Sequence, residues 1–368
     1  MTFLIPYRDL KIADESEKSA YLAILSEAME SGQLMMGEGV KAFEASFASY
    51  VGRAGAVGLS SGTSALYLGL KSLGVQTGDE IVTTSMSWLA TANAIIACGA
   101  TPVFVDVDDD LNLRPANVAA AITKKTRAIV AVHYLGRICN INELAKISID
   151  TGVPLIEDAS QAAGARLAGR LSGSWGIASA FSLNPMKPLG ALGEAGVLLA
   201  DKPEILEIVR SYRYLGTRDV EVCIFPEINH KMDEIQGYFL TESLKRLEDS
   251  LSLRRKIAVD LASRFPSAIR VVGIDDPIRT TFFEFTILSD RRDHLQDFLF
   301  KRGIDCRVKH PILMCDQPGY KDIRVDSQTN ARKMISQILS LPLYASLSLN
   351  QMDLIVTSLE EFIGGSWQ

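Results

Sequence analysis

Residues 127–157, RAIVAVHYLGRICNINELAKISIDTGVPLIE, contain two short apolar runs joined by a helix-like segment. The runs are residues 127–132 and 153–157, and both are almost continuously apolar. A run of this kind is typical of a strand that is buried on both faces, as in a parallel sheet covered by helices. The stretch therefore predicts a β–α–β unit of an α/β fold.

The same alternation continues on the N-terminal side of this unit. Further apolar runs occupy residues 56–59, 80–84 and 102–106. Helix-like segments lie near residues 63–73, 89–98, 115–122 and 142–151. Two amphipathic helices are expected earlier in the chain, at residues 15–31 and 38–50. Strands that alternate with helices in this way predict a mostly parallel sheet flanked by helices.

The regular alternation of predicted strands and helices ends after this region. Residues 177–183 and 195–200 predict two more strands joined by a glycine-rich loop, and residues 231–262 predict one long helical stretch. Beyond about residue 250 the chain offers only a few further strands and helices. We therefore predict a large domain over residues 1–250 and a smaller α+β domain over residues 251–368.

Composition excludes several classes of protein. Hydrophobic residues make up 47% of the 368 residues and charged residues 22%, so a sizeable core can form and global disorder is excluded. The 38 basic and 44 acidic side chains give a net charge of −6, which argues against nucleic acid as a partner. No uncharged apolar run reaches the roughly 18 residues of a membrane span, and the N-terminus lacks a signal-peptide pattern.

Cysteine and histidine usage bears on location and on metals. The five cysteines are scattered and odd in number, which is typical of reduced thiols and predicts a cytoplasmic protein. There is no Cys-x-x-Cys motif, and the four histidines do not cluster. A metal site is therefore not expected.

Three segments follow strands of the expected sheet, where α/β proteins bind their ligands. The first, Ser60-Ser61-Gly62-Thr63-Ser64, opens a helix. Backbone N–H groups, hydroxyls and the helix dipole would attract an anion such as a phosphate there. An ordinary Ser/Thr helix cap is the alternative interpretation.

The other two segments supply a carboxylate and an amine. Asp158 directly follows residues 153–157, and a carboxylate at the mouth of a buried strand is costly unless it is paired. A helix N-cap is the alternative for Asp158. Lys187 lies among apolar and turn residues with no nearby acid before Glu194. A desolvated lysine has a lowered pKa and can be a nucleophile, whereas a solvated loop lysine is the alternative.

Taken together, the three segments match the requirements of pyridoxal 5'-phosphate (PLP). The phosphate needs an anion cradle, the lysine forms a Schiff base, and the aspartate keeps the pyridine nitrogen protonated. A dinucleotide fingerprint in the glycine-rich residues 190–196 is excluded, because that run precedes a strand rather than a helix.

From these residues outward, the sequence resembles the DegT/StrS group of sugar aminotransferases, a branch of the fold-type I PLP enzymes. Residues 157–161, EDASQ, look like the family's Asp-x-x-Gln motif, and residues 182–196 look like its lysine loop. Similar segments extend over nearly the whole chain, at residues 37–39, 61–66, 78–82 and 340–343. The resemblance implies the fold-type I architecture and a PLP-dependent aminotransferase.

The resemblance also implies roles at the cofactor ring. Lys187 would bind the cofactor covalently and then move a proton, and Asp158 would pair with the pyridinium nitrogen. Trp88 would stack on the ring, with burial in the core as its alternative. Gln161 would lie beside the ring and its phenolic oxygen.

At the phosphate, the resemblance implies a second set of residues. Gly62, Thr63, Ser64 and Ser182 would form the phosphate site within one chain. Asn229 would reach the phosphate bound by the neighbouring subunit, which implies a homodimer with shared active sites.

The chain departs from the family pattern at three places, of which one is Pro188 directly after the lysine. Lys231 stands where the family usually has Arg, and residues 193–196 read Gly-Glu-Ala-Gly where Gly-Glu-Gly-Gly is commoner. These changes leave the cofactor chemistry intact and leave the acceptor open. Lys187 argues against a dehydratase branch in which histidine replaces the lysine.

The resemblance implies transfer of an amino group from L-glutamate, or L-glutamine, to a keto-sugar that is linked to a nucleotide. The expected mechanism is ping-pong and passes through pyridoxamine phosphate (PMP). Two alternatives remain open at this point: a keto-cyclitol acceptor, and a PLP-binding regulator without turnover.

Overall fold

The computed structural model describes residues 3–218, 222–320 and 323–365. Its α-helices are α1 (Glu15–Ser31), α2 (Glu38–Val51), α3 (Gly62–Ser72), α4 (Leu89–Ala97), α5 (Pro115–Ala121), α6 (Ile141–Thr151), α7 (Pro203–Arg213), α8 (Glu234–Leu244), α9 (Leu247–Arg264), α10 (Arg292–Lys301), α11 (Thr329–Gln337) and α12 (Leu349–Gly364). Its strands are β1 (Gly55–Leu59), β2 (Glu80–Thr84), β3 (Thr101–Val105), β4 (Thr126–Val132), β5 (Leu155–Asp158), β6 (Arg166–Leu167), β7 (Arg170–Leu171), β8 (Ala178–Ser182), β9 (Gly196–Ala200), β10 (Thr217–Arg218), β11 (Val222–Cys223), β12 (Arg270–Val271), β13 (Phe285–Leu288) and β14 (Ile338–Leu341).

The central sheet has seven strands in the order β1-β9-β8-β5-β4-β2-β3. Strand β9 runs antiparallel to both of its neighbours, β1 and β8, and the other pairings in the sheet are parallel. The glycine-rich loop between β8 and β9 allows this reversal, because antiparallel neighbours need no crossover helix. The predicted α/β class with a mostly parallel sheet is confirmed.

Helices cover both faces of this sheet, which explains the continuous apolar strands. In β4, Ala128, Val130 and Val132 point into one core cluster, and Ile129 and Ala131 point into another. Successive side chains of a strand alternate between faces, so both sets are buried only when both faces are covered.

The long helix predicted over residues 231–262 is two helices. Helix α8 ends at Leu244 and α9 begins at Leu247, so the chain breaks at Lys245 and Arg246. Leu251 near the start of α9 packs in a core cluster with α2, whereas Leu261 near its end packs in the C-terminal cluster. The apolar residues keep their helical spacing through the break, because each of the two helices buries one apolar face. The two faces are buried against different surfaces, so the spacing alone does not reveal the break.

The C-terminal part of the chain has its own sheet and core. Strands β12, β13 and β14 form an antiparallel sheet, and their cluster includes side chains of α9, α10 and α12. Ile5 joins this cluster and bridges to Ile304, so the N-terminal segment packs on the C-terminal part. The boundary at residues 250/251 falls within α9 and stays a prediction. Within the described ranges, no helix combines the length and apolarity needed to cross a membrane.

Candidate active site

A cavity of about 690 Å³ lies at the carboxyl ends of the parallel strands. Its walls come from the starts of α3 and α4, the ends of β5 and β8, and the loop that follows β8. Phe283, Lys309 and His310 close it from the C-terminal part of the chain. This is the edge at which α/β sheets bind ligands.

The start of α3 is packed tightly against β8. Ser61 is the N-cap, with its hydroxyl accepting from the Ser64 N–H at 3.1 Å. A side chain on Gly62 would place its Cβ 2.6 Å from the Cβ of Ser182, so only glycine fits. Gly62, Thr63 and Ser182 all line the cavity, and the N-terminal end of the helix dipole lies among them. The geometry thus forms an anion site.

Ser64 lies behind this anion site, outside the cavity lining. Its hydroxyl is 3.0 Å from the Ser60 hydroxyl, 3.1 Å from that of Ser61 and 3.0 Å from Nδ1 of His230. Ser64 is buried, so its hydroxyl is fully engaged within the protein. Its direct contact with a phosphate stays a prediction, and its observed contacts support Ser60 and Ser61.

Asp158 ends β5 and is 6% exposed. Its Oδ2 accepts from the Thr91 hydroxyl at 2.9 Å, and its Oδ1 accepts from the Ser160 N–H at 3.2 Å. The helix-cap interpretation is wrong, because the residues after β5 form turns and no helix starts there. Both oxygens are held in place by these donors, and the group opens into the cavity.

Lys187 enters the same cavity from the loop after β8. Its Nζ lies 4.4 Å from the centre of the Phe283 ring. Burial lowers the pKa of Lys187 to about 8, and Lys309 and Arg8 act in the same direction. Arg8 also donates to the carbonyl of Met186 at 2.8 Å, which ties the loop to the N-terminal segment. The amine is therefore largely desolvated, as expected of a nucleophile.

Trp88 stands at the N-cap of α4 and lines the cavity. Its ring is 58% exposed, so the core interpretation is wrong. The centre of the ring is 5.5 Å from that of His310, whose Nδ1 is 2.9 Å from the Tyr134 hydroxyl. Burial lowers the pKa of His310 to about 3, so the imidazole is neutral.

Gln161 also lines the cavity and is 4% exposed. Its Oε1 accepts from the Leu135 N–H at 2.8 Å. Leu135 has a φ of 57°, which is rare for a non-glycine residue, and the hydrogen bond helps to hold that turn. The Gln161 side chain is thus fixed in place beside the cavity.

Asn229 is not part of this cavity. It is exposed, and its Oδ1 accepts from the Lys231 N–H at 3.1 Å. The neighbouring Ile228 is 67% exposed. Asn229 is therefore not among the residues that line the cavity of its own chain, and its role at a neighbouring subunit stays a prediction.

Sequence reasoning missed four residues that shape the site, Thr91, Phe283, Lys309 and His310. The last three lie about 100 residues or more beyond Lys187 in the chain. No periodicity or motif links them to the strand ends, because only the tertiary fold brings them there.

The residues present fit a PLP cofactor. The start of α3 and Ser182 offer N–H and hydroxyl donors for a phosphate, Asp158 offers a carboxylate, and Lys187 offers an amine with a lowered pKa. Trp88 adds an exposed aromatic ring at the same cavity. These are the groups that PLP chemistry requires.

The family model of the DegT/DnrJ/EryC1/StrS aminotransferase family matches residues 15–360. The chain belongs to this family. It is a PLP-dependent aminotransferase with the fold-type I architecture that the resemblance implied.

Two proteins that are similar to this chain carry names of different kinds, one of an enzyme and one of a regulator. One is a dTDP-3-amino-3,4,6-trideoxy-alpha-D-glucose transaminase of Micromonospora megalomicea, 34% identical over 95% of this chain and 96% of that protein. The other is called a pleiotropic regulatory protein of Geobacillus stearothermophilus, 33% identical over 97% of this chain and 98% of that protein.

Two solved structures share the fold along nearly the whole chain. DesV of S. venezuelae, in complex with a ketimine intermediate, has a TM-score of 0.94 and 31% identity, with 100% of both chains covered. NtdA of Bacillus subtilis, with bound PMP, has a TM-score of 0.89 and 27% identity, with 98% of this chain and 85% of that chain covered.

Proposed function

We propose that this aminotransferase moves an amino group from L-glutamate or L-glutamine to a keto-sugar that is linked to a nucleotide. The observation that carries the proposal is the meeting of Lys187, Asp158 and the start of α3 in one cavity of about 690 Å³. The name of the Micromonospora relative, a dTDP-amino-sugar transaminase, supports a sugar acceptor.

When bound, PLP supplies an electron sink and a carrier for the amino group, so that the two substrates react in turn by a ping-pong mechanism through PMP. We assign its phosphate to Gly62, Thr63 and Ser182, with Ser64 behind them. Asp158 would hold the pyridine nitrogen.

Lys187 is the group that transfers the proton in this proposal. Its desolvated Nζ, with a pKa of about 8, alternates between the protonated and neutral forms near neutral pH. A general acid–base group is most effective when its pKa is close to the working pH. Trp88 and Gln161 would orient the ring, and Phe283 and His310 form the wall of the cavity that comes from the C-terminal part of the chain.

We further propose that the enzyme works as a homodimer in which Asn229 completes the site of the partner. Exposed apolar side chains on and after α1 support this, because a soluble monomer rarely exposes so many together. They are Leu22, Leu25, Met29, Leu34, Met35 and Met36. The five free thiols support a cytoplasmic location.

The test starts with the purified enzyme loaded with PLP. It is mixed with L-glutamate or L-glutamine, and formation of the 2-oxo acid is followed together with the absorbance of the bound cofactor. The PMP form is then incubated with a panel of nucleotide-linked keto-sugars and keto-cyclitols. Conversion of a nucleotide keto-sugar supports the proposal, and conversion of keto-cyclitols alone contradicts it. A regulator without turnover would bind PLP and form no 2-oxo acid.

A further inference from the structure

Three cations surround the ring of Phe283 at the wall of the cavity. The Arg8 guanidinium is 4.5 Å from the ring centre, Lys187 Nζ is 4.4 Å away, and Lys309 Nζ is 5.9 Å away. An aromatic face attracts cations and partly offsets their repulsion. The amines of Lys187 and Lys309 thus both lie within 6 Å of the Phe283 ring, at the wall of the same cavity.

Two of these cations, Arg8 and Lys309, pair with Glu284, whose side chain is 2% exposed. One carboxyl oxygen accepts from Arg8 and lies 3.3 Å from Lys309 Nζ, and the other accepts from the Tyr7 hydroxyl. Arg8, Tyr7 and Lys309 therefore share one buried carboxyl. Because Arg8 and Lys309 share this single carboxyl, one positive charge of the pair is in excess.

Lys309 lines the cavity, and among the residues that the structure describes Glu284 is the one acceptor found for its ammonium group. A lysine ammonium has three donors, so donors remain for a ligand. The acids that line the cavity are already engaged. Asp158 accepts from Thr91 and Ser160, and Glu194 is exposed at the rim, where it accepts from the Asn184 amide.

The amino donor carries an anion that must lie near Lys187. Its α-carboxylate is attached to the same carbon as the amino group that reacts, so the two groups enter the site together. A charge-assisted hydrogen bond from a lysine is a strong contact for a carboxylate. Lys309 is the cation on the Phe283 side that is available for it.

We propose that Lys309 binds the α-carboxylate of the amino donor and thereby orients the amino group toward Lys187. The inference rests on the proposed function, since it assumes an α-amino acid as donor. Arg8, Tyr7 and Glu284 are positioning residues that hold Lys309 in this place.

The experiment compares the wild-type holoenzyme with Lys309→Met, Lys309→Gln and Lys309→Arg. Lys301→Met, an exposed lysine on α10, is the matched control. The rate of the half-reaction is measured against the concentration of L-glutamate and of L-glutamine. A non-kinetic measurement is the dissociation constant of α-methyl-L-glutamate, which lacks the α-proton, obtained by absorbance titration.

We expect Lys309→Met and Lys309→Gln to raise the KM of both donors and this dissociation constant on the order of 10- to 100-fold. The limiting rate at saturation and the PLP content should change much less. Lys309→Arg should restore most of the affinity, and Lys301→Met should match the wild type. Two neutral variants are used so that a folding failure of one leaves the other.

Three results would overturn the inference. A rise of KM for L-glutamate but not for L-glutamine would assign Lys309 to the side-chain carboxylate. An unchanged donor KM with a lower melting temperature would make Lys309 a counter-ion of Glu284 only. A rise of KM for the acceptor alone would assign it to the other substrate. If the wild type converts neither donor, that result contradicts the proposed function itself, and the inference that rests on it is then also wrong.

Discussion

The hydroxyl of Thr91 donates a 2.9 Å hydrogen bond to Oδ2 of Asp158, and a second hydroxyl, that of Ser87, lies 2.9 Å behind Thr91. Thr91 is 1% exposed and sits on α4, whereas Asp158 ends β5. The contact fixes the carboxylate at the edge of the sheet.

Thr91→Val should therefore slow the reaction without loss of bound PLP. Loss of one hydrogen bond to a charged group costs about 1.5–3 kcal/mol, so we expect a rate about 10- to 100-fold below the wild type. Single-turnover rates with L-glutamate and the PLP content per chain are the measurements, with Thr91→Ser as the control that keeps the hydroxyl. A Thr91→Val rate equal to that of the wild type would show that Asp158 needs no help from Thr91.

Gly62→Ala should damage the anion site. The new Cβ would lie 2.6 Å from Ser182 Cβ and 2.8 Å from its Cα, so the start of α3 must move away from β8. Overpacking of this kind costs roughly 1–3 kcal/mol, and we expect weaker binding of PLP together with a lower free energy of unfolding. Gly364→Ala is the matched control, since a Cβ there would meet nothing within 4 Å. Equal PLP dissociation constants for the two variants would contradict the tight packing at Gly62.

The lowered pKa of Lys187 makes a prediction about the stability of the protein without PLP. In the unfolded chain Lys187 has the ordinary lysine pKa of 10.5, whereas in the folded chain burial lowers its pKa to about 8. Between these values the unfolded state binds more protons, so stability rises with pH. At pH 7 the buried charge opposes folding, and Lys187→Met should stabilise the protein by up to about 3 kcal/mol.

This gain should shrink as the pH rises from 8 to 10.5, because the lysine becomes neutral in both states. Denaturant unfolding of the PLP-free protein at pH 7 and pH 10 measures the difference. Lys146→Met, on the exposed face of α6, is the control that should show no such pH dependence. A constant difference between wild type and Lys187→Met at both pH values would argue against a lowered pKa.

Mixed dimers test whether two chains share each site. Lys187→Ala and Asn229→Ala should each be impaired alone, and a mixed dimer should have one site with both lesions and one with neither. Two-fold symmetry then predicts up to about half of the wild-type activity per mixed dimer. The measurement is activity of dimers purified by two different tags. Verified mixed dimers without any recovery, or an active monomer, would count against a shared site.

The parts of the fold that were predictable from the sequence are those set by local pattern. The strand that ends at Asp158 and the helix that starts at Gly62 follow from continuous apolar runs and a Ser/Thr cap. The break at Lys245 was not predictable. The helical spacing of apolar residues continues through it, and only the core cluster that buries those residues changes.

Other parts of the site depend on contacts between distant segments. Asp158 and Lys187 were found because they follow strands, and the positions of strand ends can be read from the sequence. Lys309 and Phe283 could not be found in this way, since nothing near them in the chain marks an active site. Their place follows from the packing of the C-terminal part against the cavity.

The role of Lys187 is tested by the half-reaction of L-glutamate with wild-type enzyme and with Lys187→Ala, both loaded with PLP. Lys187 is assigned to hold the cofactor and to move its proton, whereas Lys309, the second lysine that lines the cavity, is assigned to the donor carboxylate. The variant should therefore form no 2-oxoglutarate beyond the rate of free PLP. The wild type should form about one equivalent per site in the absence of an acceptor. Formation of 2-oxoglutarate by Lys187→Ala at the wild-type rate would contradict the central role of this lysine.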